Sequence, residues 1–168
     1  MKKLCPMVLI LLLTACASSA TQQTPAAAPA TTASSSYQQL QEQAQQATAM
    51  RAESVHKQAE NLLKRGLDGI DGTENEVSRD GDLIDAYIWM PNGAAICEIA
   101  NSTDDMRSAW IDLRNGLIQI SDGAQDYAET SDFPVYINLY FVDENNHDNH
   151  LMTITDGICV RDASGIEP

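Results

Sequence analysis

The chain has 168 residues, 24 Asp and Glu against 10 Lys and Arg, and a formal net charge of −14. Such a surface repels phosphate backbones and anionic headgroups, so nucleic acid is excluded as a partner and cationic partners or divalent ions remain open. From Gly66 onward the only basic residues are Arg79, Arg107, Arg114 and Arg161, which concentrates the imbalance in the C-terminal part.

The chain opens on Met1-Lys2-Lys3 and an apolar run from Leu4 to Leu13. This run is shorter than the roughly 20 apolar residues that span a bilayer as a helix. A charged start, a short apolar core and small residues after it describe a secretory signal peptide over residues 1–15. The core ends in Leu13-Thr14-Ala15-Cys16, which resembles the lipobox of bacterial lipoproteins. The resemblance covers these first residues alone. It implies cleavage before Cys16, lipidation of that cysteine with a diacylglyceryl thioether and an N-acyl chain such as palmitate, and firm attachment to a membrane, since several acyl chains hold far better than one. It also implies, with Ala17 after the cysteine rather than aspartate, an outer-membrane lipoprotein whose head lies in the periplasm or at the cell surface. Cleavage would remove Cys5, Lys2 and Lys3 and leave the mature chain still more acidic.

Residues 16–35 comprise the modified cysteine and a low-complexity Ala, Ser, Thr, Gln and Pro stretch, read as a disordered tether. A helix is expected over 36–66. Ser36-Tyr37-Gln38-Gln39 fits a capping box. The following residues to Arg65 lack Gly and Pro, Lys64 and Arg65 suit the C-terminal end of the dipole, and Gly66 can end the helix. Its apolar stripe is thin, and a strict heptad fails at Arg51, Ser54 and Gln58, which argues against a self-assembling coiled coil.

Residues 67–168 are read as an acidic, β-rich head. Residues 67–82 form a Gly-punctuated acidic connector. Leu83–Met90 and Ala94–Ala100 flank Asn92-Gly93, a pair suited to a hairpin turn. A second Asn-Gly, Asn115-Gly116, allows another hairpin that pairs Leu113 with Ile118 and Ile111 with Ile120. The rival for the same stretch is a helix, because Met106, Ala109, Trp110, Leu113, Leu117 and Ile120 also fit helical spacing. The hairpin is preferred, since Gly116 inside a helix costs about 1 kcal/mol against alanine. The clearest strand puts Val135, Ile137, Leu139 and Phe141 on one face and Tyr136, Asn138 and Tyr140 on the other. His150–Thr155 and Gly157–Asp162 supply further strands. Cys97 and Cys159, an even pair outside the cytoplasm, read as a disulfide. The expected fold is therefore mainly β with one long N-terminal helix, its head a small antiparallel sandwich or barrel stapled by one disulfide.

Three stretches invite chemistry. Asp71, Thr73 and Asn75 begin with EF-hand spacing, but Glu76 stands where that loop needs glycine and Asp82 where it needs a bidentate glutamate. Asp80, Asp82 and Asp85 could contribute to an irregular calcium site, though a solvated acidic loop accounts for them more simply. In Asp143–His150, His147 and His150 with Asp143 or Asp148 offer nitrogen and oxygen ligands for zinc, copper or nickel, without the helix that makes such spacing specific. Asn, Asp and His are also common where a backbone turns. No nucleophile elbow or phosphate-binding glycine loop occurs, and the sequence singles out no catalytic residue, no metal ligand set and no cofactor. Among Trp89, Trp110, Tyr136 and Tyr140, the alternating Tyr136 and Tyr140 are the preferred contact residues. The expected role is a non-enzymatic accessory or interaction subunit of the envelope with a protein partner; the alternative is a module for a small ligand or divalent cation. Oligomeric state is not legible.

Overall fold

The computed structural model describes residues 31–167, with side chains from residue 36 onward. The signal peptide 1–15, the lipidation site Cys16 and residues 17–30 of the expected tether lie outside the described residues; residues 31–35, also expected as tether, are helical, so the long helix starts before the Ser36 cap read from sequence. The chain divides into two units, Met1–Gln39 and Leu40–Pro168. Of the first, only the opening turns of one long helix are described; all the strands and the core belong to the second.

The elements in chain order are α1 (Thr31–Leu67), β1 (Glu74–Asp80), β2 (Leu83–Trp89), α2 (Gly93–Ile99), α3 (Asp104–Thr130), β3 (Tyr136–Asp143), β4 (Asn146–Thr155) and β5 (Ile158–Asp162). The five strands form one open sheet in the order β1-β2-β3-β4-β5, antiparallel except for the parallel pair β2–β3. A parallel pair needs a crossover, and α2 and α3 supply it. This corrects the expected mainly-β sandwich or barrel: three helices pack with a mixed, unclosed sheet in an α+β arrangement. Among the described residues no helix is long and apolar enough to cross a membrane.

Two corrections account for most of that difference. Residues 94–100, expected as a strand, instead form most of α2 and its C-cap, Ala100. Asn92 does take the left-handed conformation (φ 61°), but it caps a helix rather than turning a hairpin. Asn115-Gly116 is likewise no turn and lies inside the 27-residue α3. The rival pattern prevails because its apolar positions meet a core: Trp110, Leu117, Ala124 and Ala128 are buried. Gly116 has nothing within 4 Å of where a Cβ would stand, so its cost is one of backbone entropy alone. Thr103 starts the helix, its hydroxyl accepting from the Met106 N–H, with Asp104 and Asp105 in the first turn where the dipole favours them.

The acidic connector also hides a strand. In β1 Asn75, Val77 and Arg79 are half-buried and alternate with exposed Glu74, Glu76, Ser78 and Asp80. Arg79 explains the alternation, because its guanidinium reaches Glu53 and Glu60 of α1. A two-residue turn, Gly81-Asp82, leads into β2, with Gly81 at φ 64°.

All the core lies on one side of the sheet. Val55, Ala59, Leu63 and Leu67 of α1 and the apolar face of α3 cover Ile84, Ala86 and Ile88, Ile137, Leu139 and Phe141, and Met152 and Ile154. The helices approach closely where Gly66 meets Ile120; an added Cβ would stand 2.6 Å from the isoleucine Cγ2. The Cys97–Cys159 disulfide is a further correction. Both cysteines are free, Cys97 buried on α2 and Cys159 half-buried on β5. The C-terminal end is fastened instead by a buried ion pair. Arg114 Nη1 donates to Asp162 Oδ2 at 2.9 Å and to the Ile166 carbonyl, its Nη2 donates to the Glu167 carbonyl, and Trp110 Nε1 donates to the same Asp162 carboxylate.

Candidate functional site

The second face of the sheet carries no helix among the described residues. Alternation along each strand decides what it shows. Leu83, Asp85, Tyr87 and Trp89 of β2 and Tyr136, Asn138 and Tyr140 of β3 point away from the core, all half-buried or exposed. The register sets them in rows: Ser78, Asp85, Asn138 and Thr155 in one, and Glu76, Tyr87, Tyr140, Thr153 and Arg161 in the next. The first row is a polar ladder. Asn138 Nδ2 donates to Asp85 Oδ1 at 3.0 Å, and the Thr155 hydroxyl donates to Asn138 Oδ1 at 3.2 Å.

The second row is aromatic. Tyr87 and Tyr140 stack with ring centroids 5.0 Å apart, and His150 lies 4.5 Å from Tyr140 and edge-on to Tyr87 at 6.4 Å. Beside them Trp89 meets His147 at 4.5 Å. Burial, followed by the nearby Asp85 and Tyr87, pushes the Tyr140 phenol above its ordinary value, so it stays a neutral donor. Pairs of this kind contribute about 0.5–1.5 kcal/mol beyond their buried area and hold rings rigid at a surface.

His147 reaches this group by a bend in the chain. It belongs to β4, whose neighbours are β3 and β5, yet it packs on Trp89 of β2 and shares a cleft with Glu76 and Ser78 of β1. The β3–β4 register shifts at Phe141/Val142 and again at Val142/Asp143. Bulges bend and twist a strand, and here they turn the hairpin tip across the open face. The Glu144 carboxylate pins the tip by accepting from the Asn92 N–H, and Asp143 accepts from the Asn145 N–H inside it. The result is a cleft of about 220 Å³ lined by Glu76, Ser78, Tyr87, His147, Asp148 and His150.

The residues singled out from sequence are thus sorted by the fold. Tyr136 and Tyr140 share the open face, Tyr136 at 56% exposure and Tyr140 inside the aromatic row. Trp89 joins them, whereas Trp110 is buried in the core against Phe141. His147, His150 and Asp148 come together in the cleft, and Asp143 stays in the hairpin tip. Asp80 and Asp82 sit at the β1–β2 turn while Asp85 is engaged by Asn138. Asn75 is occupied with Asp68 at the foot of α1. No group of three or more His, Cys, Asp or Glu among the described residues is arranged to hold a metal ion. Sequence reading missed Glu76 and Tyr87. The signal for Tyr87 was the alternation Asp85, Tyr87, Trp89 in β2; Glu76 had none, because β1 reads as an acidic loop.

Comparisons with family models, with curated proteins and with solved structures return no match to this chain.

Proposed function

We propose that the protein is a non-enzymatic lipoprotein of the bacterial envelope, anchored through Cys16 in the outer membrane, and that its head is an interaction subunit docking a protein partner on the open sheet face. The anchor rests on the lipobox-like Leu13-Thr14-Ala15-Cys16. The observation that carries the docking reading is the uncovered face itself. A sheet with helices packed on one side leaves Tyr87, Trp89, Tyr136, Tyr140, Leu83 and Ile158 partly or largely in water on the other. Exposed contiguous aromatic and aliphatic surface rimmed by polar groups is the character of a contact site, and Tyr and Trp dominate binding energy at such sites. Both tyrosines preferred from sequence lie in it.

The test is crosslinking in cells of the full-length chain beside a Tyr136→Ala/Tyr140→Ala double variant expressed and folded to the same level. A partner recovered with the native chain and reduced roughly tenfold or more with the variant, as for hot-spot loss, supports the reading. Equal recovery from both contradicts it.

A further inference from the structure

The cleft at the hairpin end of the open face differs in charge from the rest of that face. The strands contribute only two cationic arginines. Arg79 is turned to the helix side and bonded to Glu53 and Glu60. Arg161 is on β5, opposite Thr153 and at the other end of the row from Glu76. Four strand spacings separate it from Glu76, roughly 19 Å, about twice the screening length at physiological salt. The cleft itself is lined by the carboxylate residues Glu76 and Asp148 and by Ser78, Tyr87 and the two histidines.

From this juxtaposition we infer that the cleft seats the cationic end of a partner's arginine or lysine side chain, so that the docked segment is basic. The inference rests on the open face being the docking surface and names the chemistry of its occupant. A guanidinium or ammonium gains from two parts of this lining: the carboxylates pair with its charge, and Tyr87 offers an aromatic ring of the kind that attracts cations. A volume of about 220 Å³ lies below the roughly 300–1,000 Å³ of pockets that enclose whole small ligands. It suits the end group of one side chain reaching in from a larger contact. The chain's net charge of −14 draws a basic segment toward the head and repels an acidic one before contact.

The experiment uses the full chain in detergent micelles and follows the ring signals of its histidines by NMR while acetylated triarginine, tricitrulline or triglutamate peptide is added. His147 and His150 report on the cleft; His56, on α1, is the internal control. Triarginine is expected to shift His147 and His150 saturably, about tenfold more tightly than tricitrulline, with His56 unmoved. Glu76→Gln combined with Asp148→Asn should weaken that binding by a similar factor. Equal affinity for the arginine and citrulline peptides, equal shifts at His56, unchanged binding by the double variant or no shift with any peptide would each overturn the cation assignment. The docking reading fails separately: if cell crosslinking still depends on Tyr136 and Tyr140 while the peptides show no charge preference, the face is an interface and its occupant is not basic.

Discussion

The two faces of the sheet are built from the same three central strands and do opposite work. Leu139 and Tyr140 are neighbours in β3, yet Leu139 is sealed under the helices while Tyr140 stacks between Tyr87 and His150 on the uncovered side. The core face is aliphatic and holds the fold. The open face is aromatic and polar, braced by its own cross-strand contacts. Burial on one side makes the sheet rigid enough to present ordered rings on the other, which is how a small head can offer a preformed contact surface.

Mutations should separate these roles. The largest stability loss is expected where the helix layer grips a buried charge. Arg114→Ala leaves the Asp162 carboxylate, with only 3% of its side chain exposed, short of its guanidinium and should cost about 3–5 kcal/mol in denaturant unfolding. Leu139→Ala empties a fully buried site and should cost about 2–5 kcal/mol. Gly157→Ala comes next. The residue has φ +72° and its added Cβ would overlap the carboxylate of exposed Asp122 on α3, which must swing aside. A loss of about 2 kcal/mol is expected from the left-handed conformation alone. Tyr140→Ala reverses the order of effects: the half-buried ring should cost less stability than Leu139→Ala, its lost ring contacts adding about 1 kcal/mol to the lost burial, while partner crosslinking falls severalfold; a fall in stability as large as that of Leu139→Ala would blur the distinction between the faces.

The thiols give a smaller but sharp check. Burial, with Asp162 and Glu98 nearby, pushes the Cys97 thiol up to about 11, and burial with Asp162 also raises Cys159. Both should therefore be protonated and slow at neutral pH. The half-buried Cys159 should alkylate before Cys97, and the denatured chain without reductant should show both as free. The smallest effect concerns Arg79. Its hydrogen bond to Glu53 lowers that carboxyl below the ordinary range. A depressed carboxyl contributes stability at pH above its unfolded value and loses it as pH falls through the folded one. Glu53→Gln should accordingly lower stability slightly at neutral pH, cost less and less as pH falls through the carboxylate range, and so flatten the acid limb of the stability curve.

Legibility in the sequence divides along the same line. The alternation of β3 was readable because Val135, Ile137, Leu139 and Phe141 are all buried while their partners are not. The long helix was readable from its lack of Gly and Pro and its basic end. The two Asn-Gly pairs misled because a local turn preference is weak beside the burial of a helix face: Trp110, Leu117 and Ala124 outweigh Gly116. β1 was hidden because its inward side is held by Arg79 and α1, a pairing no local pattern shows. An even cysteine count carries no geometry, so it could not say that Cys97 and Cys159 stay apart. The cleft was visible only as ingredients, since bulges at Val142 bring His147 to Trp89 across the sheet.

The most direct test places a photocrosslinking residue at exposed Ile158 on the open face and, in a second chain, at exposed Gln119 on α3, each in the full-length protein in cells. A discrete crosslinked partner is expected from position 158 and none from 119. The same partner captured equally from both, or captured only from 119, would contradict the assignment of the open sheet face as the interaction surface.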